Sequence, residues 1–422
     1  MISEIENQLV RSISAADAYQ HIERIANFGV RLAGSQGDIK TAQYFGEKCQ
    51  EYGLYTCFEE FEGDCYELTG WELLIKQPVN KNIECQPMIF SPSTPQKGIT
   101  SDIIYVGTGQ EEDYKDKDAK NKIVLFMRDP NTPKDSFFTE ICTASKNGAL
   151  GAIMANYQPW PFNGTLESGY FDPQKRILPI EPNPIPAVCI SSTDGHYLQS
   201  LLESKRVKAH LLVQATTEKR ITHNVRCLLS GTSLPEERVI ICGHRDSEGN
   251  AGANDNGSGL SIMLELARVL SSHPCQRTIE FLALGCEEVV SIGSWEYCKR
   301  HAGTLPNIVA VLNIDMVGVG GDLHLITEGY WPDKTLTTPE WLYLFVDKVA
   351  KELNYKTRFG ICNLGTSDEG RFLDAGVPAL FFWKPGDEHY HSILDVSEYV
   401  DPNTLKVVAE IAGLSAWRLA NR

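Results

Sequence analysis

Residues 238–272 read RVIICGHRDSEGNAGANDNGSGLSIMLELARVLSS and indicate the class of the fold. The segment opens with a continuous apolar strand at 238–242 and ends in a helix at 257–272, whose apolar residues recur at helical spacing. A uniformly apolar strand that leads into such a helix is typical of a parallel sheet covered on both faces. Between the two elements lies a loop rich in glycine, asparagine and acidic residues, where sheets of this kind carry their functional sites.

The same alternation continues on both sides of this segment. Apolar strands are predicted at 278–284, 308–314 and 379–383. Helices are predicted at 291–301, 340–353, 367–375 and, behind the cap Asp401, at 402–419. The N-terminal part favours helices around 16–26 and 41–52 and strands at 54–60 and 71–76. The predicted fold class is therefore α/β, a mostly parallel sheet with helices on both faces.

The regular alternation of apolar strands and helices is absent between about residue 85 and residue 222. Short β-runs and proline-rich turns replace the regular alternation there, which is typical of an inserted β-rich module. A chain of 422 residues is also longer than a usual single domain. We therefore divide the chain into a main domain formed by 1–84 and 223–422, and an insertion at 85–222.

The charge of the chain excludes some classes of partner. Lys and Arg number 39 and Asp and Glu 55, so the formal net charge is −16, and a nucleic-acid partner is not expected. The sequence contains no apolar run long enough to span a bilayer, and no membrane partner is expected. The first residues carry no signal-peptide pattern, and the twelve cysteines form no Cys-x-x-Cys pair. These features favour a cytoplasmic protein with reduced thiols, whose oligomeric state the sequence does not predict.

The loops that follow the predicted strands all carry imidazole or carboxylate groups. They supply His244 and Asp246, then Asp255, then Glu287 and Glu288, then Asp315, and finally Asp387, Glu388, His389 and His391. Each group alone has a simpler explanation; Asp255, for example, could be a helix N-cap. Their convergence at the ends of neighbouring strands favours a site for Zn²⁺ or a similar divalent ion instead.

Five short motifs in these loops resemble the co-catalytic dizinc aminopeptidase family, which includes bacterial leucyl aminopeptidases, plasma glutamate carboxypeptidase and glutaminyl cyclases. The motifs are His244-x-Asp246, Asn254-Asp255-Asn256-Gly257-Ser258-Gly259, Glu287-Glu288, Asn313-x-Asp315-Met316 and Tyr390-His391-Ser392. The segment Arg31-Leu32-Ala33-Gly34-Ser35 is similar to the N-terminal motif of that family. The resemblance covers about 1–80 and 223–422 and implies a zinc-exopeptidase fold.

The resemblance also implies a ligand set for two zinc ions per chain, with Co²⁺ or Mn²⁺ as substitutes. His244 and Asp315 would hold one ion, Glu288 and His391 the other, and Asp255 would bridge them, as two-metal hydrolase sites require. His389 lies two residues before His391 and competes for the same role; we prefer His391 because Tyr-His-Ser matches the family motif.

Three further residues receive catalytic roles from the same resemblance. Glu287 would be the general base that takes a proton from water, and Asp246 would orient the imidazole of His244. Tyr390 would donate to the oxyanion of the tetrahedral intermediate. Arg245 either contacts a substrate carboxylate or is an exposed side chain, and Cys286 is read as a small buried residue.

The insertion resembles a protease-associated domain, on residues 121–125, 148–153 and 185–191. The whole pattern predicts a metalloprotease, an exopeptidase that removes N-terminal residues from peptides by hydrolysis. One alternative is a carboxypeptidase or dipeptidase that uses the same site. The others are a single-zinc acyltransferase like the glutaminyl cyclases, and a non-catalytic receptor that retains the fold.

Overall fold

The structure is a computed structural model that describes residues 2–131, 137–165, 184–331, 334–362 and 365–422. Its α-helices in these ranges are α1 Glu4–Arg11, α2 Ala15–Ala26, α3 Gln36–Glu51, α4 Phe138–Lys146, α5 Ser192–Ser204, α6 Gly257–Leu270, α7 Ile292–Arg300, α8 Glu340–Glu352, α9 Glu369–Asp374 and α10 Pro402–Ala420. Short 3₁₀-helices lie at Glu111–Tyr114, Ala302–Asn307 and Ser397–Tyr399.

The strands alternate with these helices in the second half of the chain. They are β1 Tyr55–Gln77, β2 Lys81–Ile83, β3 Cys85–Pro87, β4 Ile99–Tyr105, β5 Ile123–Met127, β6 Gly151–Ala155, β7 Ala187–Ile190, β8 Lys208–Leu229, β9 Leu234–His244, β10 Arg277–Leu284, β11 Ile308–Ile314, β12 Leu323–Trp331, β13 Lys334–Thr337, β14 Thr357–Cys362 and β15 Ala379–Trp383.

The chain folds into two compact units. The first contains Met1–Asp64, Lys219–Tyr390 and Leu394–Arg422, and the second contains Cys65–Glu218 together with His391–Ile393. The division therefore falls at 64/65 and 218/219, whereas the sequence suggested 84/85 and 222/223. Residues 132–136 and 166–183 of the predicted insertion lie outside the described residues.

The sheet of the first unit has a parallel centre with antiparallel strands at both sides. Its order is β13-β12-β15-β11-β9-β10-β8, with β14 paired to β12. Strands β10, β9, β11 and β15 are parallel neighbours, whereas β8 and β12 join them antiparallel. The predicted α/β class is confirmed, and the carboxyl ends of β9, β10 and β11 meet at one edge.

Helices cover both faces of this sheet, as the uniformly apolar strands predict. Val239 and Ile241 of β9 belong to a core cluster that contains apolar residues of α2, α6, α8 and α10. The alternate residues of the same strand, Ile240 and Cys242, belong to a second cluster with residues of α7 and α9. Because strand side chains alternate between the two faces, residues 238–244 of β9 are buried on both faces, and burial of their apolar side chains stabilises the packing of helices on each face.

The second unit has its own sheet and core. Strands β4, β5, β6 and β7 are parallel neighbours; β3 pairs antiparallel with β7, and the first residues of β8 pair antiparallel with β4. Residues of these strands, including Ile103, Leu125, Ile153 and Val188, are buried in one cluster with Leu198 of α5.

Some predicted elements were wrong in extent or absent. The two short strands expected at 54–60 and 71–76 are one continuous strand, β1. Strands β12, β13 and β14 were not predicted. Within the described ranges, no helix combines the length and the apolar character needed to cross a bilayer. None of the twelve cysteines, all of which lie in the described ranges, forms a disulfide bond.

Candidate metal centre

Three of the predicted metal ligands meet in the first unit. His244, Asp255 and Asp315 are buried, and each offers one ligand atom within 4.8 Å of the others. His244 Nε2 lies 3.1 Å from Asp255 Oδ1 and 3.2 Å from Asp315 Oδ1. Ligand atoms around one tetrahedral zinc ion lie ~3.3 Å apart, given zinc–ligand bonds of about 2.0–2.1 Å. The spacing of these three residues therefore fits a zinc ion.

The parallel sheet explains why these three residues meet. His244 is the last residue of β9 and Asp315 directly follows β11, and these strands run side by side with Cys242 opposite Asn313. Asp255 comes at the start of α6, where the side chain of Asn256 accepts the N–H of Gly259 at 2.9 Å as the N-cap. The strand ends and the helix N-terminus thus converge on one point, as expected at the carboxyl edge of an α/β sheet.

The charges around His244 favour a bound cation. Burial lowers the pKa of His244, but the carboxylates of Asp315, Asp246 and Asp255 outweigh this effect and hold the pKa well above its usual value. The cluster therefore attracts positive charge strongly. A divalent ion neutralises more of the negative charge of these carboxylates than one proton does. One imidazole and two carboxylates are also donors that suit zinc.

Asp246 connects His244 to the glutamate pair. Its Oδ1 atom lies 3.6 Å from His244 Nδ1, the ring nitrogen that faces away from Asp255 and Asp315. Its two carboxylate oxygens also accept the main-chain N–H groups of Glu287 and Glu288, each at 3.1 Å. This second contact was not predicted. Asp246 thereby fixes the turn that carries the predicted base and a predicted ligand.

Glu287 lies in an acidic environment in the turn after β10. Burial, together with the charges of Asp368, Asp315 and Glu288, raises its pKa well above the usual value, although His244 opposes the rise. Buried Asp368 and Glu369 carry pKa values raised by burial to about 7 and about 8. A carboxylate with a raised pKa is suited to accept a proton near neutral pH.

Glu248 and Asp395 are two further buried carboxylates at this site that were not predicted as site residues. Glu248 and the predicted ligand Glu288 each offer an oxygen within 4.8 Å of the other. Asp395 accepts the N–H of Asn254 at 2.7 Å and the N–H of Asp255 at 3.0 Å. Glu248 could have been noticed as a further acid in the ligand loop, but nothing in the spacing of Asp395 marks it.

Hydroxyl and guanidinium groups also hold the ligand loops. Ser367 Oγ donates to Asp315 Oδ2 at 2.7 Å, a contact that the predicted helix at 367–375 did not suggest. Arg31, from the family-like N-terminal motif, is fully buried and donates to the carbonyl oxygens of Arg245 at 2.7 Å and Gly252 at 2.8 Å. Its role is to fix the loop that begins at His244 and leads to Asp255.

Arg245 is a buried structural residue, which corrects both readings offered from the sequence. Its guanidinium is fully buried, forms an ion pair with Asp38, and donates to Thr222 Oγ1 at 2.9 Å and to the carbonyl oxygen of His223. Burial lowers its pKa to about 10, which leaves it charged at neutral pH. Arg245 is neither exposed nor directed at a substrate carboxylate.

Cys286, immediately before the glutamate pair, is the small buried residue that was predicted. It packs with Ala33 and Phe61, and burial raises the pKa of its thiol well above the usual value. Its backbone has a positive φ of 57°, as expected for a sharp turn. The thiol therefore stays protonated and shapes the turn that presents Glu287.

The remaining predicted residues lie where the chain passes between the units. Tyr390 is half-buried and belongs to the first unit. The next residue, His391, begins the short segment His391–Ile393 that belongs to the second unit. The ring of His389 lies against Tyr399, with ring centroids 4.0 Å apart. The roles of Tyr390 and His391 stay predictions from the sequence.

The chain is similar in sequence to known peptidases. Residues 224–415 match the sequence model of peptidase family M28. The chain is 26% identical to aminopeptidase YwaD of Bacillus subtilis (strain 168), with 100% of this chain and 88% of that protein aligned. It is 25% identical to carboxypeptidase Q of Homo sapiens, over 93% of this chain and 83% of that protein.

A solved structure extends this similarity to the fold. The aminopeptidase from Aneurinibacillus sp. strain AM-1 matches with a TM-score of 0.71 and 26% identity, over 99% of this chain and 96% of that one. The segment matched by the family contains His244, Asp255, Glu287 and Asp315. Over residues 224–415, the chain is therefore similar to peptidase family M28.

Proposed function

We propose that this peptide hydrolase is a zinc-dependent aminopeptidase that removes N-terminal residues from peptides. The observation that carries the proposal is the buried group His244, Asp255 and Asp315, whose spacing fits zinc, inside the segment that matches family M28. The similarity to aminopeptidases over the whole chain supports it.

The proposed site holds two ions. His244 and Asp315 would bind one, Glu288 and His391 the other, and Asp255 would bridge them. When bound, such a pair polarises the scissile carbonyl and lowers the pKa of water. The acidic surroundings of Glu288, which include Glu248, supply the negative charge that a second cation requires.

The side chains of the protein supply the proton transfers. Glu287 would accept a proton from the attacking water and deliver it to the leaving amine, while Asp246 holds the Glu287 turn by its main-chain N–H. Tyr390 would donate a hydrogen bond to the oxyanion. Because Asp246 also faces His244 Nδ1, one carboxylate would align the base with a metal ligand.

The charges near the site favour the amino end of a peptide. A free C-terminal carboxylate needs a cationic partner, but Arg245 is paired with Asp38 and Arg31 is occupied by main-chain carbonyls. The carboxylates around Glu287 instead match a protonated α-amine or an amine that ligates metal. By the same argument, neutral or basic N-terminal residues are preferred over acidic ones.

The test is a time course on one unblocked peptide and two blocked forms of it, with products identified by mass spectrometry. We expect stepwise loss of N-terminal residues, no cleavage of the N-acetylated form, and cleavage of the C-amidated form. Loss of cleavage only in the amidated form would overturn the aminopeptidase assignment.

A carboxypeptidase or dipeptidase is the second candidate, because the chain is similar to carboxypeptidase Q over most of its length. The same peptide set distinguishes the two, since it identifies the terminus that is attacked. A single-zinc cyclase-like acyltransferase would bind one ion per chain. Metal analysis that finds one tight ion, with no activation by a second, would favour that reading over the proposal.

Two further proposals concern the identity of the second unit and the cellular location of the protein. The second unit is proposed to be a protease-associated domain, supported by its parallel strands β5 and β6 at the residues that carried the resemblance. A cytoplasmic location is proposed because ten of the twelve cysteines are buried and none of the twelve, all in the described ranges, forms a disulfide bond.

A further inference from the structure

The segment His391–Ile393 is held by other residues of the second unit, which we call the inserted unit. Phe162 forms an antiparallel β-bridge with Ser392, and the N–H of Asn163 donates to the carbonyl oxygen of His391 at 2.7 Å. The ring of Phe162 also lies beside the imidazole of His391, with centroids 5.8 Å apart and planes tilted by 36°. The insertion therefore contacts both the main chain and the ring of this histidine.

Phe162 is itself firmly fixed in the inserted unit. The guanidinium of Arg128 lies 3.9 Å from the centroid of its ring, and the ring of Phe137 meets it edge-on at 6.2 Å. Its N–H donates to the sulfur of Cys189 at 3.2 Å. Phe162 and His391 are both buried, at 3% and 5% exposure. A buried ring fixed on several sides can limit the orientation of its neighbour.

The backbone of His391 needs this support. Its φ is +49°, in the left-handed region that residues with a side chain adopt at a cost. Such a conformation persists only where surrounding contacts hold it, and such residues often lie at functional sites. The bridge at Ser392 and the hydrogen bond from Asn163 supply such contacts on the residue and on its neighbour.

We propose that Phe162 positions the imidazole of His391 for metal binding. The inference rests on the proposed function, in which His391 is a ligand. A metal-bound imidazole must present one ring nitrogen in a fixed direction, and groups that orient such a ring tune metal affinity. Phe162 acts through His391 and touches neither substrate nor reacting atoms in this role.

The experiment compares Phe162→Leu with Phe126→Leu in the full-length protein. Phe126 is a matched control because it is a buried ring of the same unit and lies beside Gly109 rather than His391. The readouts are the affinity of each of the two zinc equivalents, the absorption spectrum of the Co²⁺ form, and the unfolding temperature of the metal-free protein. Phe162→Tyr, which keeps the ring, is the conservative variant.

We expect Phe162→Leu to weaken one zinc equivalent by about 10–100-fold and to change the Co²⁺ spectrum. Phe126→Leu should lower the unfolding temperature similarly without changing either metal readout, and Phe162→Tyr should restore wild-type affinity. Wild-type metal binding in Phe162→Leu, or equal loss in both leucine variants, would overturn the inference.

His391→Ala separates this inference from the function on which it rests. If that variant keeps two tight ions, His391 is not a ligand and the ligand set itself is wrong. If it loses one ion while Phe162→Leu binds both normally, the ligand set stands and only the positioning role of Phe162 is overturned.

Discussion

The carboxylate of Asp395 accepts the main-chain N–H of Asp255 at 3.0 Å and thereby holds the backbone of the proposed bridging ligand. Its other oxygen accepts the N–H of Asn254 at 2.7 Å. Asp395 is buried, and burial raises its pKa to about 7 even though the two N–H groups oppose the rise. Asp395 is thus a further acid next to an already acidic site, where it accepts two main-chain N–H groups.

Replacing Asp395 by Asn tests this support. Asn offers one carbonyl oxygen and turns an NH₂ group toward the second N–H, so one hydrogen bond is lost. We expect the free energy of unfolding to fall by about 1–3 kcal/mol and zinc affinity by about 10–100-fold. Urea unfolding and titration against a chelator measure the two effects.

Asp401→Asn is the matched control for Asp395→Asn. Asp401 is exposed and caps α10 by accepting the N–H of Asn403 at 2.9 Å. Its replacement should cost at most about 1 kcal/mol and leave zinc binding unchanged. Wild-type zinc affinity in Asp395→Asn would contradict the assigned role.

Glu287→Gln separates the base from the ligands. The amide cannot accept the proton of water, so we expect kcat to fall by about 10²–10⁴. Metal content should stay unchanged, because Asp246 holds the main-chain N–H of residue 287 and not its side chain. Steady-state kinetics and metal analysis on the same sample measure both quantities.

Two other variants serve as controls for Glu287→Gln. Glu296→Gln, in the exposed pair with Lys299 on α7, should change neither quantity. Asp255→Ala should lose metal as well as activity. Near wild-type turnover in Glu287→Gln would show that another group is the base.

The sequence predicted the bounds of the central strands better than those of the outer strands. Strands β11 and β15 have the predicted bounds, because strands buried on both faces are continuous apolar runs with clear ends. Strand β14 was missed because it is partly exposed and carries Arg358 among its apolar residues. Strand β1 was read as two pieces, since its exposed and buried residues alternate along much of its length.

The candidate site was predicted only where a motif or a strand end marked it. His244, Asp255 and Asp315 come together as expected because each follows a buried strand or starts a buried helix. The partners that hold the site were missed: Asp38 and Arg245 are far apart in the chain, as are Asp395 and Asp255. Such pairs depend on tertiary packing, which no local pattern encodes.

His21 on α2 predicts a pH dependence of stability. It is buried with Nδ1 2.6 Å from the hydroxyl of Tyr44, and burial lowers its pKa to about 4. The unfolded chain, with a histidine pKa of about 6.5, therefore binds the proton first as pH falls. The stability that neutral His21 contributes is complete above about pH 6.5 and is lost by about pH 4, a loss of about 3 kcal/mol.

His21→Gln should remove that part of the pH dependence. We expect the difference in unfolding free energy between pH 7.5 and pH 4.5 to be smaller than in the wild type. Tyr44→Phe, which removes the hydrogen bond but keeps the burial, should retain the wild-type difference. Urea unfolding at both pH values measures this difference in unfolding free energy. A difference in His21→Gln equal to that of the wild type would show that His21 does not cause the pH dependence.

Arg245→Met tests whether this cation is structural or binds substrate. Asp38 is buried, so removing its partner leaves an uncompensated charge, and we expect the free energy of unfolding to fall by about 3–5 kcal/mol. Arg358→Met, in the exposed pair with Asp322, should leave the free energy of unfolding nearly unchanged. The ratio of kcat/KM for a free-acid peptide to that for its amidated form should be the same in Arg245→Met and wild type, because Arg245 does not contact substrate. A selective loss for the free-acid peptide would instead make Arg245 a carboxylate anchor and favour the carboxypeptidase reading.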